Sequence, residues 1–114
     1  MEILESRLEK GCFVAIRFPF SDLSSAKLRP ALILANAGKG DFVLFQITSK
    51  AYADANAVVI QAEHFDSGQL PLTSFARPGK LFTAHESLIQ KSLGKIKPVK
   101  HTEIVDSVYH LLCS

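Results

Sequence analysis

The chain has 114 residues, of which 47% are hydrophobic and 21% charged, with a formal net charge of +2. This composition excludes a disordered chain, and the apolar runs are far shorter than a membrane span. Two cysteines, Cys12 and Cys113, are too few for a disulfide framework or a zinc site. The first ten residues are too acidic for a signal peptide. We therefore expect one cytoplasmic domain over residues 1–114, with residues 1–10 as a flexible N-terminal arm and no membrane association.

Positive charge is concentrated late in the chain. Residues 77–100 hold six basic residues against one acidic residue, a net charge of +5, and the other segments sum to −3. A local basic field of this kind suits a polyanion or an acidic partner. A solvated lysine face explains it equally well, so charge alone leaves both readings open.

The first half of the chain predicts a β-hairpin preceded by another strand. Residues 12–18 form an apolar run that a proline ends, and residues 19–28 form a serine-rich loop. Residues 30–35 are wholly apolar, which is typical of a buried strand. A glycine-rich turn at 36–40 then leads into residues 41–48, which we expect to return antiparallel to the second strand.

The second half predicts further short strands and one helix. Strands are expected at 57–61, 74–76 and 80–84, with loops at 49–56 and 64–72, and with a bend or bulge at Arg77-Pro78-Gly79. Residues 87–96 fit neither the helical nor the strand period. Pro98 suits a first helical turn, and apolar residues follow it at helical spacing, although no good N-cap residue precedes it. The pattern of five or six strands and a C-terminal helix predicts a mainly β fold, a small, strongly bent antiparallel barrel.

Familiar catalytic motifs are missing from the sequence. It has no glycine-rich nucleotide fingerprint, no nucleophile elbow and no metal-binding spacing among its four histidines. We therefore expect no cofactor and no metal.

The strongest candidate residues are Arg29 and Thr48. Arg29 opens the second predicted strand and Thr48 closes the third, so the hairpin through residues 36–40 makes them cross-strand neighbours to within one pair. An arginine fork beside a hydroxyl matches the geometry of a phosphate and can stabilise charge that develops on a phosphoryl oxygen. No metal is required if the substrate supplies the nucleophile, as RNA does with its 2′-hydroxyl. Arg77 and Lys80 form a second cationic cluster.

Several segments, taken together, resemble the MazF/PemK toxin family. They are Gly11 to Leu34 with Phe18-Pro19-Phe20 and Arg29-Pro30-Ala31-Leu32-Ile33-Leu34, then Gln46-Ile47-Thr48-Ser49, Ser74 to Thr83, and Gly94-Lys95-Ile96 before the final helix. Each motif is short, but all occur in order over residues 11–112. The resemblance implies the SH3-like small barrel that these toxins share with the gyrase poison CcdB.

The resemblance also implies an activity and partners. The implied activity is metal-independent, sequence-specific cleavage of single-stranded RNA by 2′-hydroxyl attack. The implied partners are a second copy of the chain, in a homodimer, and a cognate antitoxin with an acidic or disordered C-terminal segment. Carried over by position, Arg29 and Thr48 match the family's catalytic residues, and Arg77 matches an arginine that some members use for catalysis or RNA contact. The remaining candidates for substrate binding are Phe20, Lys27, Ser49, Lys50 and Lys80.

Three positions depart from the family pattern. Cys12 stands where an aspartate is usual, and Gly79 replaces the aspartate of Arg-Pro-Asp-Lys, a carboxylate that acts in some relatives. His85-Glu86 replaces Asp-Lys, which makes His85 a candidate general acid or base. Two alternatives stay open: a non-enzymatic CcdB-like poison that binds a protein target such as gyrase, and a catalytically degenerate member that binds only antitoxin or RNA.

Overall fold

A computed structural model describes residues 8–18, 27–50, 55–68 and 73–114. In these ranges it contains seven strands, one α-helix and two short 3₁₀ turns. The strands are β1 (Cys12–Phe18), β2 (Lys27–Gly38), β3 (Asp41–Thr48), β4 (Val58–Ile60), β5 (Phe65–Gly68), β6 (Ser74–His85) and β7 (Ile89–Ile96). The helix is α1 (Pro98–Cys113), and the 3₁₀ turns are Ala62–His64 and Glu86–Leu88.

All seven strands belong to one curled sheet in the order β4-β6-β3-β2-β1-β7-β5, and all the pairings are antiparallel. The mainly β fold with a C-terminal helix is confirmed, as are the predicted bounds of β1 and β3. Strands β2 and β3 form the predicted hairpin at the centre of the sheet, so the start of β2 and the end of β3 lie at the same end of the sheet.

Three segments differ from the sequence prediction. Strand β2 (Lys27–Gly38) extends three residues beyond the predicted 30–35 at each end, into the predicted loop and turn, because these residues pair with β1 and β3. Residues 65–68 form strand β5 although their turn-forming residues predicted a loop, because they pair with β7. Gly68 lies opposite Gly94, and a Cβ on Gly68 would come within 2.2 Å of a β7 carbonyl oxygen. That close approach suits glycine alone. The predicted strand pieces at 74–76 and 80–84 form one continuous strand, β6, whose predicted bulge is confirmed between the pairs Ile47↔Ala76 and Phe45↔Leu81.

The sheet has a buried cluster on each face. The first cluster includes Val14, Ile16, Ile33 and Leu44. The second, which we call the helix-side cluster, includes Phe13, Leu32, Phe45, Ile60 and, from α1, Ile104. Strand residues alternate between the two clusters, as a pleated sheet covered on both faces requires. These two apolar layers hold the sheet end described below in place.

Helix α1 begins at Pro98 in its first turn and has no side-chain N-cap, as the sequence predicts. It packs on β6 near the bulge, where a Cβ on Gly79 would lie 3.9 Å from Leu111. Within the described ranges, no helix has the length and apolar character needed to cross a membrane.

Candidate active site

The ends of β2 and β3 bring the two main candidates together. The hairpin pairs Ala31 with Gln46 and Leu32 with Phe45. Continued two positions beyond Ala31, this register places Arg29 opposite Thr48. Directly opposed residues of an antiparallel pair point to the same face. Arg29 and Thr48 therefore project from the face that carries the first cluster, at its margin.

The same position continues across the sheet as a transverse row. Thr48 pairs with Phe75 of β6, and Phe75 pairs with Val59 of β4. In the other direction, Ile16 of β1 pairs with Arg29. Ile16 is buried, whereas Arg29 and Val59 are exposed and Thr48 and Phe75 are half-buried. The row is therefore covered on the β1 side and open from Arg29 towards β4.

The backbone at Arg29 is restricted by Pro30. A residue that precedes proline is held in the extended region, and proline itself fixes its own φ. Pro30 also has no N–H to donate, and the pairing of β2 with β3 begins one residue later, at Ala31. The stem of Arg29 therefore leaves the sheet in a fixed direction, while its exposed guanidinium stays accessible to a ligand.

The hydroxyl of Thr48 is held at the strand end by Lys50. The backbone N–H of Lys50 donates to Thr48 Oγ1 at 3.1 Å, and Oγ1 donates to the carbonyl oxygen of Lys50 at 3.3 Å. The second bond is long and therefore weak. The hydroxyl can exchange it for a phosphate oxygen at little cost while the first bond keeps Oγ1 in position.

The other predicted residues lie at two levels along the sheet. Ser49 and Lys50 follow Thr48 directly and are exposed, and the backbone of Lys27 opens β2 opposite Phe18. Arg77 is half-buried in the β6 bulge, and Lys80 is exposed beside it. The bulge opposes Gln46, two residues back from Thr48, which is roughly 7 Å along a strand. Phe20 lies outside the described residues.

Positive charge dominates this end of the sheet. Residues 16–18, 27–31, 46–50 and 73–76 contain Arg17, Lys27, Arg29 and Lys50 and no aspartate or glutamate. Within the described ranges, Arg17 and Arg29 form no ion pair with a carboxylate. Unneutralised cations at one strand end create a field that attracts an anion. In the described part of the chain, no group of three or more His, Cys, Asp or Glu residues is placed to hold a metal ion.

The structure separates His85 from the other candidates. His85 pairs with Asp41 at the opposite end of β3, seven residues from Thr48 and roughly 20 Å away along an extended strand. Its Nδ1 accepts a hydrogen bond from the Ser87 N–H at 3.1 Å. As a general acid or base beside Arg29 and Thr48 of the same chain, His85 was therefore a wrong assignment.

Sequence reasoning did not select Phe75 and Val59 for the site. Phe75 belongs to β6, which pairs with β3 across residues 49–73, and Val59 belongs to β4, which pairs with β6. Their places in the row therefore follow from long-range pairing, which the strand propensity of these residues does not reveal.

Comparisons with known proteins identify the fold. No protein-family model and no curated protein matches this sequence. Solved structures match it along nearly its whole length. Crystalline MazF from Deinococcus radiodurans aligns with a TM-score of 0.71 at 19% identity, covering 94% of this chain and 97% of the other. A MazE–MazF complex from the same organism gives a TM-score of 0.73 at 19% identity, covering 92% and 95%.

An endoribonuclease from a mycobacterial species, solved with its cognate antitoxin, aligns with a TM-score of 0.70 at 16% identity, covering 92% of each chain. The chain therefore has the fold of the MazF toxins.

Proposed function

We propose that this protein is a MazF-type toxin that cuts single-stranded RNA, and that Arg29 and Thr48 form its catalytic pair. The observation that carries the proposal is the register of β2 on β3. Continued to the strand ends, this register supports a guanidinium, that of Arg29, and a hydroxyl, that of Thr48, as neighbours on the same open face. The fold shared with MazF toxins and with a mycobacterial endoribonuclease supports the same class of reaction.

The proposed reaction is an internal displacement at phosphorus. The 2′-oxygen of one nucleotide attacks the neighbouring phosphorus while the bond from phosphorus to the 5′-oxygen breaks. The 2′-hydroxyl loses its proton and the leaving 5′-oxygen gains one, which gives a 2′,3′-cyclic phosphate and a 5′-hydroxyl. Arg29 would bind the two non-bridging oxygens and stabilise the charge that grows on them. Thr48 Oγ1 would donate to the same phosphate after leaving the carbonyl of Lys50.

The surrounding cations would bind the RNA backbone on either side of the cut. Ser49, Lys50 and Lys27 flank the catalytic pair, and Arg77 and Lys80 lie in the neighbouring bulge. Contacts to phosphates fix the position of a strand without reading its sequence. Sequence specificity would then depend on contacts to the bases.

A cognate antitoxin and a second copy of the chain are the proposed protein partners. Some structures that share the fold are complexes of a toxin with its antitoxin. The net charge of +5 on residues 77–100 suits an antitoxin with an acidic segment, which would compete with RNA for these cations.

Incubation of the purified protein with a long RNA in EDTA tests the proposed activity. We expect discrete cuts that carry 2′,3′-cyclic phosphate and 5′-hydroxyl ends. Cutting that requires a divalent metal, or that leaves 3′-hydroxyl ends, would contradict the mechanism. An intact RNA would favour the alternatives, a protein-binding poison or a binding-only member of the fold.

A further inference from the structure

Phe75 is an aromatic side chain that neither buried cluster accounts for. The phenylalanines at 13, 45 and 65 pack in the helix-side cluster, and those at 42 and 82 pack in the first cluster. Phe75 is half-buried and belongs to neither cluster as the described residues form them. An aromatic ring that is partly exposed outside the core offers apolar surface to a ligand.

The transverse row places this ring beside the proposed catalytic pair. Phe75 lies directly opposite Thr48 and on the same face, with the exposed Val59 on its other side. Arg29 is two strands from Phe75, roughly 10 Å at the usual strand spacing. A phosphate bound at Arg29 would therefore leave an adjoining base within reach of the ring.

We propose that Phe75, flanked by Val59, is the platform on which the base next to the cleaved phosphate stacks. Along the row, the guanidinium of Arg29 on β2 and the hydroxyl of Thr48 on β3 are placed for a phosphate of single-stranded RNA, and the ring of Phe75 on β6 is placed for the adjoining base. Stacking of a base on an aromatic ring contributes about 1–3 kcal/mol by alanine substitution. The inference rests on the proposed RNA cleavage, since it assigns the nucleotide beside that cut.

The first test measures binding of 2′-O-methyl RNA, which spans the mapped cut site but lacks the nucleophile. In the unaltered protein, removing the one base that stacks should weaken binding about tenfold, whereas other abasic positions should matter less. In Phe75→Leu, the intact RNA should bind about tenfold more weakly, and the abasic substitution at that position should cost nothing further. Phe82→Leu is the matched control on the same strand: it should lower the Tm and keep the abasic penalty.

The second test uses the absence of tryptophan from the sequence. Phe75→Trp introduces a single tryptophan, whose fluorescence should be quenched by the same RNA and should not be quenched when the stacked base is removed. Tyr109→Trp, at an exposed aromatic position on α1, is the control and should not respond.

The outcomes separate this inference from the proposed activity. If the unaltered protein cuts RNA but Phe75→Leu keeps the abasic penalty, or Phe75→Trp is not quenched, the stacking platform is refuted and the activity stands. If the unaltered protein neither binds nor cuts RNA, both proposals fail.

Discussion

Replacing Arg29 by alanine should reduce RNA cleavage by about two to three orders of magnitude and leave the fold intact. The side chain is exposed and takes part in neither buried cluster, so the free energy of unfolding should change by no more than about 0.5 kcal/mol. If Arg29 stabilises the charge of the transition state, its loss should lower kcat/KM by about 10²–10³-fold. Arg29→Lys keeps the charge but loses the fork, so it should recover only part of the activity.

Arg17→Ala is the matched control. Arg17 lies at the same sheet end, one strand away, and pairs with Leu28, so it projects from the opposite face. The Arg17→Ala substitution removes the same unit of positive charge as Arg29→Ala. At roughly 10 Å from the phosphate in water, that charge is worth about 0.4 kcal/mol, or about twofold in binding.

Cleavage kinetics of both variants on one RNA oligonucleotide, with the Tm of each, distinguish a catalytic arginine from a general positive field. Equal losses in Arg17→Ala and Arg29→Ala would mean that only the general positive field acts, and the assignment of a catalytic arginine would be refuted.

Variants at three further residues test the site and its setting. Thr48→Val removes the hydroxyl at nearly constant volume and should lower kcat about tenfold, while Thr48→Ser should restore most of it. His85→Ala should cleave RNA within about twofold of the unaltered rate, because the side chain lies at the other end of β3. His101 has a pKa below its ordinary value of 6.5 because it is half-buried and lies near Lys10. The unfolded chain therefore binds more protons, so the Tm should fall as the pH drops below about 6.5, and His101→Gln should show a smaller fall.

The placement of Arg29 opposite Thr48 was predicted from the hairpin, but the sequence did not reveal how the register arises. The tight turn is at Lys39 and Gly40, later than the centre of the predicted turn, and Gly38 pairs with Asp41. An unbroken ladder from that pair would put Arg29 opposite Lys50. Two register shifts in the hairpin move its partner to Thr48. Such bulges have no signal in an apolar run, because they depend on how the curled sheet packs on both faces.

Long-range pairing explains the other differences. The sequence predicts a loop at residues 65–68 because Asp66, Ser67 and Gly68 are turn formers, yet pairing with β7 makes this segment a strand. Phe75 joins the row through β6, which reaches β3 from a distant part of the chain. Local sequence patterns predict strands and turns, but they contain no information on which distant strands become neighbours.

A single 2′-deoxy nucleotide in an RNA oligonucleotide removes the nucleophile that the proposed reaction requires. We expect the protein, in EDTA, to cut the all-ribose RNA at a mapped bond and to leave that bond intact when the nucleotide on its 5′ side lacks the 2′-hydroxyl. Arg29→Ala should leave both oligonucleotides intact. Cutting of the 2′-deoxy bond by the unaltered protein would contradict internal 2′-hydroxyl attack and the catalytic roles assigned to Arg29 and Thr48.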